Sequence, residues 1–404
     1  MRRPLERPAA PLRFDAMTVS WCHKGVLYET PAPDADDLRV LEEIDRMRHR
    51  MRHVLRASPR WSGQLRRNLT ARAIAGSNTI EGYAATVDDV EALMAGEEPL
   101  ETGERTRAEL EGHRRAMAYI QALADTGTGF RYDAGLLNGL HFMMQGHHLD
   151  KRPGRWRDGP VYVTSPDDPL VPAYTAPGAE QVPALTDELV DWLNEGDLDA
   201  PVHVRASMAH LNLVNIHPWK DGNGRMSRAL STLVFAREGV MPPEFSSIEE
   251  WLGRGQNTYA YYQVLQQVGG PSWSPERDTR PWIRFCLRAH HRQAQQAQRR
   301  TGLLSRAWVR LAGEAETAGL DERVVHALLP AFWGSKVRRT VYQQDAGISD
   351  QQAIRDIREL VRLGWLVPHG RARARHYAPG PRMDTVQETV RQSVEPYTDP
   401  YDRS

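Results

Sequence analysis

Residues 217–228 join two runs that read as apolar helices, and this junction constrains the fold more than any other feature. The upstream run, 202–216, has to stop near Ile216, because Pro218 disfavours helical geometry at His217. Downstream, Met226, Leu230, Leu233 and Val234 form a clean helical face. Between them, Gly222, Asn223 and Gly224 tolerate left-handed backbone, so the next helix starts at about Gly224. A helix N-terminus behind a Gly-Asn-Gly nest aims several N–H groups at one point and is an anion site. Arg225 and Arg228, three apart, share a face one turn further on. That set suits a polyphosphate, with backbone donors for one phosphate and guanidiniums for the others. Asp221 supplies a hard oxygen for Mg²⁺, and His217 a group that titrates near neutrality. Taken singly, each residue also suits a plain helix connection with a capping Asp and a surface His. Together, base, metal ligand, nest and paired arginines are hard to read that way. No G-x-x-x-x-G-K-[S/T] loop is present.

Composition narrows what such a junction serves. Lys+Arg and Asp+Glu are 52 each, so a chain-wide pull toward nucleic acid or anionic membrane is excluded, while a local patch is not. Two cysteines, Cys22 and Cys286, exclude a disulfide scaffold or a four-cysteine zinc site and suit a reducing compartment. No stretch approaches about 18 apolar residues, and no apolar segment follows the basic N-terminus. The expectation is a soluble cytoplasmic protein with no membrane partner, in two or three domains.

Residues 1–35 read as extended. Helices follow from Asp36 to a stop at Pro59, at about 63–75, after an N-cap at Thr86, at 104–124 and at 134–144. Residues 151–178 then carry six prolines around a β-type run at Val161–Thr164 and a turn at 165–169. That predicts a β-hairpin over 161–175, kept at an edge by its prolines. Helix resumes at 182–193, 202–216, 256–268 and 280–299. The expected fold class is mainly α, a helical core with a β-hairpin flap plus a C-terminal winged helix-turn-helix. Domains are set at 1–98, 99–299, 300–379 and a disordered tail, 380–404. The adjacent pairs His147-His148 and His290-His291 lack i,i+4 spacing and do not read as a metal site.

Residues 217–228 resemble the Fic (filamentation-induced-by-cAMP) signature H-P-F-x-[D/E]-G-N-G-R-x-x-R, departing only at Trp219. The resemblance covers roughly residues 65–295. It implies an all-α domain with a hairpin flap that uses ATP and Mg²⁺ to place AMP on a Ser, Thr or Tyr hydroxyl of a protein, releasing pyrophosphate. On that resemblance His217 is the general base and Asp221 holds Mg²⁺. Gly222, Asn223 and Gly224 hold the α-phosphate, Arg225 contacts the β-phosphate and Arg228 the γ-phosphate. Tyr261 and Tyr262 resemble a stretch near the adenine pocket, without the Asn that often follows.

Ser77, Glu81 and Gly82, after a helix expected to end near Ala75, make an unremarkable cap alone. Beside this signature they resemble the [S/T]-x-x-x-E-[G/N] inhibitory motif, in which the glutamate pairs with the second motif arginine, here Arg228. Breaking a partly buried pair of this kind costs about 3–5 kcal/mol, a restraint of two to three orders of magnitude. The flap implies a protein substrate added along it as a strand.

Ser349 and Gln352 form a capping box, with a helix over 337–344 before it and a Trp365–Tyr377 wing after it. This resembles the winged helices often fused to Fic domains. Lys336 to Tyr377 holds nine Lys/Arg against four Asp/Glu, although Asp356 and Glu359 would repel a DNA backbone. The reading is an autoinhibited protein adenylyltransferase. It leaves open a DNA-binding regulator, transfer of UMP or phosphate, removal of AMP, self-modification and a homodimer.

Overall fold

The computed structural model describes residues 26–57, 59–99, 102–124, 127, 129–164, 172–239, 241–371, 375–391 and 396–402. Residues 1–25, the flap turn at 165–171 and Arg373 of the expected wing lie outside the described residues. The chain is mainly helical. Ahead of the junction come α1 (Ala35–Ala57), α2 (Pro59–Ile80), α3 (Val87–Met94), α4 (Glu104–Ala124) and α5 (Ala134–Gln145). The hairpin β1 (Tyr162–Thr164) and β2 (Pro172–Thr175) follows. Then come α6 (Val182–Glu195), α7 (Val202–Ile216), α8 (Asn223–Glu238), α9 (Glu249–Leu252), α10 (Gly255–Gly269) and α11 (Arg280–Thr317). The C-terminal part is α12 (Val325–Trp333), α13 (Arg339–Ala346), α14 (Asp350–Arg362), β3 (Leu366–His369), β4 (His376–Pro379) and α15 (Pro381–Arg391).

Helices α7 and α8 form the centre of the larger core, most of their side chains buried. Their polar residues Ser207, Ser227 and Thr232 are buried with hydroxyls bonded to the carbonyl four residues back, so they cost little there. Thr86 caps α3 as expected, in a full box with Asp89. The hairpin is antiparallel, with Tyr162 opposite Thr175 and Val163 opposite Tyr174.

A second core gathers the C-terminal helices, and three long helices carry both cores. Helix α1 gives Ile44 to the first and Met51 to the second; α2 gives Ile74 and Trp61; α11 gives Trp282 and Trp308. The helix expected at 280–299 therefore does not stop there. One Gly302 costs a helix about 1 kcal/mol and cannot end it while both flanks are buried.

Two further expectations are corrected. Helix α2 runs on to Ile80 because nothing breaks it before Gly82, whose φ is +82°. Gly76 is needed inside it, since a Cβ there would lie 2.4 Å from the Glu249 carbonyl oxygen of α9. The tail is not disordered where it is described. Met383, Val386 and Val390 bury one face of α15, and Tyr401 reaches back to Asp37 at 2.9 Å. Their spacing of three and four is helical, but the charged residues between them mask it.

Helices α13 and α14 and the β3–β4 hairpin follow the expected helix–turn–helix–hairpin order. Ser349 Oγ accepts the Gln352 N–H at 3.2 Å, but the Gln352 amide turns to Asp356, so only half of the capping box forms. Asp356 does not face outward to repel a ligand. It is buried against Arg323 at 2.9 Å and the Tyr342 hydroxyl at 2.7 Å. This part docks on α2 and the segment after α3 through Arg67–Asp345 at 2.5 Å and Arg338–Glu97 at 2.7 Å. No described helix is long and apolar enough to cross a membrane.

Candidate active site at the α7–α8 junction

Helix α7 ends on His217, which is left-handed at φ 52° with its N–H bonded to the Leu213 carbonyl. Its ring is half-buried under the junction, and Nδ1 sits 3.0 Å from the Val214 carbonyl oxygen. That contact requires a proton on Nδ1, which leaves the Nε2 lone pair as the basic atom. Burial pulls the His217 pKa down to about 4, so the ring is neutral at pH 7.

The loop after it is held from inside. Trp219 is fully buried, stacks on His141 at 4.5 Å and donates to Asn138 at 2.9 Å. The Asn223 amide exchanges two hydrogen bonds with the Trp219 backbone, so its side chain braces the loop and only its backbone faces the nest. His141 Nδ1 accepts the Gly154 N–H, and Nε2 donates to the Asp221 carbonyl at 3.0 Å. Gly222, at φ +77°, begins α8; a Cβ there would lie 2.7 Å from Gln145 Nε2. The half-buried Asp221 carboxylate accepts the Gly222 N–H at 2.7 Å.

Each arginine meets a glutamate. Arg225 is buried, ion-paired with Glu109 of α4 and stacked over Tyr83 at 5.4 Å. Burial pushes the Glu109 carboxyl upward, but Arg225 overrides it and holds the pKa at about 2. Arg228 donates from Nε to Ser77 Oγ at 2.8 Å and from Nη2 to Glu81 Oε1 at 2.7 Å. Burial alone would lower the Arg228 pKa, but Glu81 raises it well above the ordinary value. Among the described residues, the buried Arg228 Nη1 has no hydrogen-bond partner. Glu81 Oε1 also lies 2.6 Å from where a Cβ on Gly224 would be, so this carboxylate covers the α8 N-terminus. Gly82 turns the chain away directly behind it.

Tyr261 and Tyr262 are split. Tyr261, expected to line a nucleotide pocket, is 1% exposed, its hydroxyl 2.9 Å from His210 Nε2, so it is core. Tyr262 is 37% exposed, and its hydroxyl donates to the Ile80 carbonyl.

Sequence reasoning missed several parts. Arg157 donates to the carbonyls of His217 at 2.8 Å and Pro177 at 2.5 Å, tying the flap to the junction. The Tyr174 hydroxyl of β2 does the same to Asn215 at 2.6 Å. Glu109, Tyr83 and Gln145 were also missed, and Gln145 is fully buried with neither amide atom partnered among the described residues. One available signal was Gln145 itself, a polar residue at the end of an apolar helix.

Residues 132–235 match the model of the Fic/DOC family. They form a Fic domain. The protein adenylyltransferase Fic of Aedes aegypti is 32% identical over 179 residues, covering 44% of this chain and 31% of that protein. The one from Nematostella vectensis is 26% identical over 268 residues, covering 63% and 55%. This chain thus spans about a third to a half of the length of these relatives. Among solved structures, a Fic family protein from Desulfovibrio desulfuricans superposes with a TM-score of 0.57 at 20% identity, covering 87% of this chain and 98% of that one. Fic-1 from C. elegans gives 0.51 at 23%, covering 65% and 72%. These two likenesses establish the Fic fold.

Proposed function

We propose that this chain transfers AMP from ATP to a hydroxyl of a protein and that Glu81 holds it inactive. The observation that carries the reading is the convergence of a neutral His217, the Gly222–Gly224 nest and Arg228 at one helix N-terminus. The curated relatives named as protein adenylyltransferases support it.

The target hydroxyl oxygen attacks the α-phosphorus of ATP and gives its proton to His217 Nε2. The bond from the α-phosphorus to the α,β-bridging oxygen breaks, and pyrophosphate leaves. The nest N–H groups carry the negative charge of the α-phosphate through the transition state. Arg228, with Nη1 already unpartnered, takes the terminal phosphate. Arg225 is held by Glu109, so it adds positive field from behind Tyr83 and grips no phosphate directly. Tyr262 borders the base side, and Tyr261 backs Arg228 from the core.

A half-exposed hard carboxylate at the junction, Asp221, suits Mg²⁺, which takes most of its ligands from water and phosphates. Asp221 would hold it, and the ion would neutralise charge on the departing pyrophosphate. The flap offers a strand edge for the target. β2 is already bonded at Thr175 to the Pro271 carbonyl, so an extended segment adds along β1.

Glu81 is 25% exposed, which reduces the worth of its pair with Arg228 from the fully buried figure to about 1.5–3 kcal/mol. That corresponds to a restraint of about tenfold to a hundredfold. The α13–α14 pair with the β3–β4 hairpin is read here as a winged helix, and with Asp356 internal its outer face is more basic than the sequence suggests. The test is labelling of proteins in a lysate with ATP carrying label at the α- or the γ-phosphate. Wild type, Glu81→Gly and His217→Ala are compared. Label from the α-phosphate alone, strongest in Glu81→Gly and absent in His217→Ala, is expected. Transfer of γ-label, or equal labelling by wild type and Glu81→Gly, overturns the respective half of the proposal.

A further inference from the structure

The adjacent histidines His147 and His148 gain a third neighbour that their sequence spacing does not reveal. Both sit in the turn that follows α5, fixed by the His148 N–H bond to the Gln145 carbonyl at 2.9 Å. Both imidazoles point at Glu109 of α4, with Nε2 of His148 2.9 Å from Oε1 and Nε2 of His147 3.2 Å from Oε2. The three ligand atoms lie within 4.8 Å of one another, and among the described residues no other trio of His, Cys, Asp and Glu converges this way.

We propose that Glu109, His147 and His148 bind a divalent metal ion of the zinc class, with a fourth position open to solvent. Bonds of about 2.0–2.1 Å in a tetrahedral shell put neighbouring ligand atoms about 3.3 Å apart. His148 Nε2 and Oε1, 2.9 Å apart, are already close to that edge, and all three ligand atoms lie within 4.8 Å of one another, so modest side-chain shifts would admit an ion. His147 Nε2 is independently informative. It is buried and makes no hydrogen bond among the described residues, even though a carboxylate oxygen is 3.2 Å away. A ring nitrogen aimed at a carboxylate and left unbonded is arranged as a ligand atom is. Two imidazoles and one carboxylate favour zinc-class ions over Mg²⁺ or Ca²⁺, which prefer all-oxygen shells.

Arg225 shares the carboxylate. It contacts Oε2, the oxygen that His147 also faces, and so can act as the outer partner that orients the carboxylate with Oε1, the oxygen facing His148, left for the ion. Its charge also weakens the site relative to one of neutral ligands alone. Access is from the histidine side, where the side chains of His147 and His148 are 17% and 26% exposed while Glu109 is fully buried. The proposal does not depend on AMP transfer, because every group in it lies outside the set assigned to the reacting atoms.

The test uses the full chain without an affinity tag, stripped by chelator and titrated with Co²⁺ and then Zn²⁺. The expected result is one Co²⁺ per chain with the intense visible bands of four-coordinate cobalt, displaced by Zn²⁺, and a Tm that rises with Zn²⁺. His147→Ala and His148→Ala each abolish the bands and the Tm rise, while Asp221→Ala keeps both. Both histidine changes leave the Glu109–Arg225 pair intact, so the variants should fold. Only the weak bands of hydrated cobalt in wild type, or unchanged bands in both histidine variants, would overturn the site.

Discussion

Arg225 and Arg228 leave the same helix three residues apart, and each meets a glutamate from the N-terminal half of the chain. The two pairs differ in how they can be undone. Glu109 sits mid-helix in α4, fully buried, with Arg225 and two histidines around it. Glu81 sits on the last turn before Gly82, a quarter exposed, at the end of a helix whose body is held in both cores. A buried charge held on several sides is part of the fold, whereas a charge at a helix end beside solvent can be exchanged for a ligand. The same residue types thus give one pair enclosed in the fold and one pair that reaches solvent.

The largest effect expected from breaking this contrast is on stability. Glu109→Gln leaves Arg225 buried without a counter-charge and should cost about 3–5 kcal/mol, read as a lower denaturant midpoint. Glu81→Gly should cost less, about 1.5–3 kcal/mol, while raising transfer, because solvent and ligand can reach Arg228 from the vacated side. Equal losses of stability in the two variants would erase the distinction. The Glu109 pair has an acid signature as well. Its folded pKa of about 2 lies below the ordinary carboxylate value, so its contribution is complete above pH 4.5 or so and is lost as pH falls toward 2.

Much of this was legible in the sequence. Residues 217–228, the Thr86 cap and the flap could be read because each depends on neighbours within a few residues. Glu109 could not, because its partner lies 116 residues away and a single glutamate in an amphipathic helix looks like part of a solvated face. The same holds for Arg157, which reads as loop charge until the fold brings four backbone carbonyls around it. The adjacent histidines were set aside on spacing alone, a criterion that fails when the third ligand comes from another helix. The helix ends missed at Ala75 and 299 share a different cause. Both lie near a glycine, Gly76 or Gly302, that sits where packing on both sides keeps the helix going.

Intermediate in size is an effect of pH on the released enzyme. An unperturbed histidine with pKa near 6.5 would be about nine-tenths protonated at pH 5.5, a roughly tenfold loss of base. Burial holds His217 at about 4, so its neutral form persists at pH 5.5. Glu81→Gly should therefore lose less than twofold in single-turnover transfer between pH 7.0 and 5.5, with the acid limb appearing only nearer pH 4. A limb centred at 6.5 would mean that His217 is solvated when ATP is bound.

The smallest expected effect separates the two contacts of the latch. Ser77 Oγ accepts from Arg228 Nε while Glu81 accepts from Nη2, so the guanidinium is held to α2 at two points. The hydroxyl is neutral and fully buried, and α2 stays helical without it, so Ser77→Ala weakens the hold by about one ordinary hydrogen bond. Taken at about 0.7 kcal/mol, that raises transfer about threefold, well short of Glu81→Gly. Combining the two changes should add nothing beyond Glu81→Gly if Ser77 acts only by positioning the latch. A further rise in the double variant would show that Ser77 restrains Arg228 independently, and a fall in the single variant would show that it orients Arg228 for the phosphate.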